Sequence, residues 1–142
     1  MPSAQHSVSI NRPASEVFAF VADGENALRW RPGVLDVARQ SGEGLGAIYR
    51  QGVKGPGGRR IAADYEIIAF EPDRRIAFRA IAGPVRPTGE YRFKSEAGGT
   101  AVSLALEATV TGWKRLVMGR AVQSTMESEV RTLETLKTIL ES

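Results

Sequence analysis

The feature that most constrains this chain is an apolar stripe near its C-terminal end. Val122, Met126, Val130, Leu133, Leu136 and Leu140 follow one another at intervals of four, four, three, three and four residues. That spacing puts side chains on one face of an α-helix. Glu127 and Arg131 sit on the opposite side, and Glu134 and Lys137 on the flank. In each pair the acid precedes the base, the favourable order for pairing along a helix. A helix from Arg120 to Glu141 would run about 33 Å. Its stripe cannot stay in water, so other parts of the chain have to cover it. The apolar register ends before the three or so heptads of a sustained coiled coil, which favours burial within the same chain. Gly119 costs a helix about 1 kcal/mol relative to Ala, and predicts a short helix before it and the main one after it.

Most of what precedes has the period of strands. His6, Val8 and Ile10 alternate with Ser7 and Ser9, a first strand with one buried face. Pro13 marks a helix start, with Asn11 or Arg12 as cap, Glu16 in the first turn and Ala14, Val17, Phe18 and Val21 as the apolar face. A second short helical turn over Glu25–Trp30 stops at Pro32 and Gly33. Six further strands are predicted: Val34–Gln40, Ala47–Lys54, Arg59–Phe70, Arg75–Ala82, Gly89–Ser95 and Thr100–Val110. Gly52 suggests a bend, and a slip in alternation near Ile67 and Ile68 suggests a bulge. Short turns join these strands, so they pair as antiparallel neighbours. The picture is a long helix clasped by a curved antiparallel sheet.

A chain of 142 residues suggests one domain with a core of its own. It has no cysteine, which rules out disulfides, thiolate metal sites and cysteine nucleophiles, and suits a reducing cytoplasm. No basic segment leads into an apolar run at the N-terminus, and no stretch is apolar enough to span a bilayer, so neither secretion nor membrane insertion is expected. The net charge of +3 is spread among acids rather than gathered into a stripe, which argues against nucleic acid as a partner.

The order of these elements resembles the START-like superfamily, also called Bet v 1-like, helix-grip or SRPBCC. Within it the chain is most similar to the polyketide cyclase/dehydrase and lipid-transport family. The resemblance rests on "SVSINRPASEVFAFVADGENALRWRPGV", "SGEGLGAIYR", "YEIIAFEPDRRIAFRA", "YRFKSEAGGTAVSLALE" and "ETLKTILE", in that order over nearly the whole chain. It implies an α+β helix-grip fold. A seven-stranded curved antiparallel sheet wraps a long C-terminal helix, with two short helices between strands 1 and 2. It also implies an internal cavity for lipids, polyketides or similar molecules, and, in a minority of members, cyclase activity. Ala63, Ala80, Ala82, Gly89, Ala105 and Ala108 are small sheet residues, and those facing inward would leave space.

Other motifs carry less. Gly42-Glu43-Gly44-Leu45-Gly46 lacks the lysine and hydroxyl of a phosphate loop and leads into a strand, so it is a structural turn, where the resemblance also places a Gly-rich loop. Gly55–Gly58 with Arg59 and Arg60 reads as a hairpin tip. His6 is the only histidine, and no nucleophile motif accompanies it, so it is expected to be structural. Neither a metal nor a cofactor is expected. The cavity-lining candidates are Trp30, Tyr49, Tyr65, Phe78, Tyr91, Leu104, Trp113, Met126 and Val130, with Trp30 at the cavity mouth that the resemblance implies. Asp64, Glu66, Arg79 and Glu90 are the charges a cyclase could use, although their alternation puts most of them on the outer face; a buried Arg79 facing an acid would be the exception. The expected function is binding or transport of a small hydrophobic ligand. A cyclase or dehydratase working in the same cavity is the alternative, and a protein-interaction module with a filled core the third reading. The chain leaves room for a homodimer.

Overall fold

The computed structural model describes residues 3–83, 85–108 and 113–142, with the side chains of Pro56 and of residues 113–119 outside the description. Strand β1 (Ser3–Ile10) turns Val8 and Ile10 into the core, as its alternation requires. Pro13 is itself the cap of helix α1 (Ala14–Ala22), one position later in role than the sequence suggested, and Asn11 is free to do something else. Ala14, Val17, Phe18 and Val21 are the buried face. A single 3-10 turn over Gly24–Asn26 then leads into the one-turn helix α2 (Ala27–Trp30), with the Asp23 carboxylate accepting from the Glu25 amide at 3.1 Å.

The remaining strands are β2 (Val34–Ser41), β3 (Ile48–Lys54), β4 (Arg60–Ala62), β5 (Tyr65–Glu71), β6 (Arg75–Ala80), β7 (Thr88–Glu96) and β8 (Gly99–Glu107). All pairings are antiparallel, in the order β1-β8-β7-β6-β5-β3-β2, with β4 beside β3. β4 and β5 are the two halves of the long strand expected over Arg59–Phe70, and both pair with β3, so the curled sheet has seven strands when they are taken together. The interruption falls at Ala63 and Asp64. There the Asp64 carboxylate takes the Gln51 amide at 3.1 Å, in place of a backbone partner. The expected bulge is present, as a register shift between Ile67 and Ala69. Gly42, Gly44 and Gly46 all have positive φ, which only glycine adopts cheaply, and this makes the β2–β3 connection a structural turn.

The C-terminal stripe is where the sequence placed it. Met126, Val130, Leu133 and Leu136 are buried, and Val122 and Leu140 pack at the margins. The helix runs unbroken through Gly119, as α3 (Trp113–Val130), and the break falls instead at Arg131–Thr132, before α4 (Leu133–Glu141). The Thr132 hydroxyl donates back to the Glu129 carbonyl at 2.5 Å, and the Thr132 amide reaches the same oxygen at 3.1 Å. A threonine that bonds its own preceding turn tightens it to 3-10 geometry, whereas a cost of about 1 kcal/mol at Gly119 is too small to break the helix. The expected pairs Glu127–Arg131 and Glu134–Lys137 are replaced. Glu127 accepts from Gln123, Glu134 bonds His6 at 2.6 Å, and Lys137 pairs with Glu141 at 2.9 Å. These exchanges tie the helix to β1. Gln123 also holds both backbone groups of Ser3, Lys137 donates to the Ser9 carbonyl, and Glu141 accepts from the Asn11 amide at 2.8 Å. Among the described residues no helix is long and apolar enough to cross a membrane.

Candidate functional site

Alternation along the strands turns one set of side chains toward α3 and α4 and the other set outward. The inward set includes a run of aromatic rings. Tyr49 stacks on Tyr65 at 5.0 Å between centroids, Tyr65 meets Phe78 edge-on at 5.7 Å, and Phe78 lies 6.0 Å from Tyr91. Trp30, from the end of α2, closes on Tyr91 at 6.2 Å. The series continues through Phe93, Phe18 and Phe70. Strand pairing builds it: Tyr49 sits opposite Tyr65, and Phe78 lies beside Gly89, two pairs along from Ile76 and Tyr91 and so on the same face. Gly89 leaves no void, because the Phe78 ring and Leu106 already occupy the place of a Cβ there, and Ala105 faces outward, so neither small residue makes room as the sequence suggested. Ala80, opposite Tyr65, is the small residue that lies beside exposed ring surface.

The tyrosines have different parts. Tyr49 is buried, and its hydroxyl is used by the chain: it accepts from the Gly24 amide at 3.3 Å and donates to the Ala22 carbonyl at 3.4 Å. It is a strut between the sheet and the α1–α2 corner. The hydroxyls of Tyr65 and Tyr91 have no hydrogen-bond partner among the described residues. Burial pushes both phenols upward, Tyr91 to about 12 and Tyr65 further, although the neighbouring Arg31 guanidinium pulls the other way. Both are therefore protonated donors throughout the physiological range.

Within electrostatic reach of these hydroxyls lies the group that the sequence reading missed. Arg31, just after α2, is held between Glu129 of α3 and Gln51 of β3. Its Nε donates to the Glu129 carboxylate, and Nη1 donates to Gln51 Oε1 at 3.2 Å. Gln51 is 4% exposed and is itself fixed, its Nε2 donating to the Ala63 carbonyl at 3.3 Å. Burial disfavours the Arg31 charge, but Glu129, with the two phenols adding to it, more than offsets this, so the guanidinium is held even more firmly protonated than usual. One signal was visible. Glu129 is three residues after Met126 and four before Leu133, an acid inside the apolar lattice of the helix.

Of the nine candidates, Trp30, Tyr49, Tyr65, Phe78, Tyr91, Leu104, Met126 and Val130 belong to this one inward-facing cluster. Leu104 pairs between His6 and Tyr91, deep in the core. The side chain of Trp113 lies outside the described residues. The four charges considered for proton transfer are elsewhere: Glu66 pairs with Arg79 on the outer face at 2.7 Å, Glu90 is clamped by Arg75 and Arg92, and Asp64 caps the strand break. Arg79 is thus an exposed arginine, and the half-buried one facing an acid is Arg31. An open depression of about 480 Å³ on the outer face, beside Arg92, Lys94 and Ser103, has its nearest arginines already paired with Glu71 and Glu90. Among the described residues no three His, Asp or Glu side chains gather as metal ligands.

A curled antiparallel sheet gripping a C-terminal helix, with two short helices at one end and a ring-lined inner face, defines a helix-grip protein. The chain belongs to the polyketide cyclase / dehydrase and lipid transport family, whose model matches residues 1–141. Its fold is shared by protein TTHA0849 from Thermus thermophilus, at 22% identity and a TM-score of 0.84, covering 98% of this chain and 97% of that one. It is shared too by the Zhui aromatase/cyclase from Streptomyces, at 20% and 0.74, covering 98% and 93%. Ara h 8.0201 follows at 14% and 0.62, covering 87% and 96%. At these identities the likeness is one of fold. No curated protein matches the chain in sequence.

Proposed function

We propose that the protein binds a small, mainly apolar molecule with ring character between the inner sheet face and the C-terminal helix. The observation that carries this is the run of rings from Tyr65 through Phe78 to Tyr91 and Trp30, with the half-buried Arg31 next in sequence to Trp30. Tyr65 and Phe78 keep part of their surface accessible although they face inward, which is where a guest would gain contact. Affinity comes from covering that surface, at roughly 25 cal/mol per Å², and orientation from Arg31 and the two phenols. N-phenyl-1-naphthylamine, a neutral fluorescent probe, should bind saturably at one site per chain, and Tyr91→Ala should weaken it at least fivefold. Absence of saturable binding overturns the proposal. Native mass spectrometry of the protein from its own host would identify the guest.

A cyclase or dehydratase activity is the second reading, favoured by one observation. The protonated phenols of Tyr65 and Tyr91 feel the charge of a permanent cation on the same inner face, a set of groups able to stabilise a developing enolate and return a proton to it. Conversion of a poly-β-ketone substrate that is lost in Tyr91→Phe with binding intact would support it; binding without conversion would leave the carrier reading alone.

A further inference from the structure

The ion pair that organises the inner face also fixes its charge. An arginine has five N–H donors and no acceptor. Arg31 spends two of them, one on Glu129 and one on Gln51. Gln51 is engaged by Arg31 and Ala63. Donors predominate in what remains for a guest: the other guanidinium N–H groups and the hydroxyls of Tyr65 and Tyr91, against the second carboxylate oxygen of Glu129. The single positive charge behind them is already cancelled by Glu129.

Resting on the reading of the inner face as a ligand site, we infer that Glu129 is the specificity-determining residue. It makes the site neutral and donor-rich, so that it takes uncharged molecules bearing an oxygen acceptor, such as a quinone or ketone, and rejects acids of the same shape. Without Glu129, Arg31 would be a lone cation among rings, and its best guest would be an acid. With Glu129 in place, an anionic guest sets two negative charges against one guanidinium and loses its own hydration as well. A carbonyl oxygen meets neither penalty and can accept from Arg31 and a phenol together. The carboxylate comes from the helix and the guanidinium from the α2–β2 corner, so the pair joins the two elements at the end of the proposed site.

Two probes with the same ring system test this: N-phenyl-1-naphthylamine, which is neutral, and 8-anilinonaphthalene-1-sulfonate, which adds only a sulfonate. The wild-type protein should prefer the neutral probe at least tenfold. Menadione should displace it, and 1-naphthoate should not. Glu129→Gln, which keeps a hydrogen bond to Arg31, should improve sulfonate binding tenfold or more and change neutral binding less than threefold. Glu129→Asp, which keeps the charge, should retain the wild-type preference and guards against a folding artefact. If wild type binds both probes equally, or Glu129→Gln leaves their ratio unchanged, the charge filter is wrong while the ligand site stands. If neither probe binds, the ligand site falls and the filter falls with it.

Discussion

The two faces of one sheet treat charge in opposite ways. The outer face carries a ladder of ion pairs: Glu71 with Arg75, Arg75 with Glu90, Glu90 with Arg92, and Glu66 with Arg79. Arg75 and Arg92 are direct cross-strand partners, an arrangement of like charges that Glu90 between them makes tolerable. Arg79 and Arg92 are more than half exposed, so water screens their pairs and each contributes little. The inner face holds the Arg31–Glu129 pair, set among rings. There apolar neighbours take the place of much of the screening water, and the loss of one partner strands the other. Burial, more than the number of pairs, decides how much a charge matters in this protein.

The largest test of that contrast is Glu129→Ala. It should lower stability by about 3 kcal/mol, the low end for a broken buried pair because both side chains keep some exposure. Urea denaturation reads it, and a change below about 1 kcal/mol would place the pair with the outer ones. The joint replacement Arg31→Met with Glu129→Leu should recover most of that loss, since apolar residues often replace a buried pair at no cost. It should also remove discrimination between the neutral and sulfonated probes. A double-mutant cycle on Glu66 and Arg79 should give a coupling of about 0.5 kcal/mol or less, shrinking further in 1 M salt. The smallest effect concerns pH. Burial pushes the Glu90 carboxyl up, but the hydrogen bonds from Arg75 and Arg92 outweigh it and leave the pKa below the usual 4.5. A depressed carboxyl favours the fold above pH 4.5, and that contribution is lost as the pH falls through the folded value. Glu90→Gln should therefore lower the thermal midpoint slightly at pH 7 and flatten its decline below pH 4.5. An unchanged decline would mean that the outer ladder contributes nothing measurable.

Strand periods, turn residues and the helical stripe made the fold legible, because each is a local pattern that the final structure also needs. The Ile67–Ala69 bulge was visible for the same reason, since a slip in alternation is a slip in register. The strand break at Ala63–Asp64 and the helix break at Thr132 were not, because each depends on one side chain displacing a backbone partner. Gly119 misled in the opposite sense: a weak propensity gave way to its surroundings. The rings of the inner face could be named from the sequence because large aromatics on an apolar face are few. Arg31 could not, because a single arginine after a short helix has no periodicity, and its partner lies 98 residues away.

The stitching of β1 to the C-terminal helix has a consequence for how the molecule is made. Ser3, His6, Ser9 and Asn11 take partners 120 to 130 residues downstream, and β8, the sole strand beside β1, comes late as well. A chain emerging from the ribosome would therefore hold its first strand unsatisfied through most of synthesis. Closing such distant contacts is slow, which makes this seam the step at which a nascent chain is most open to chaperones.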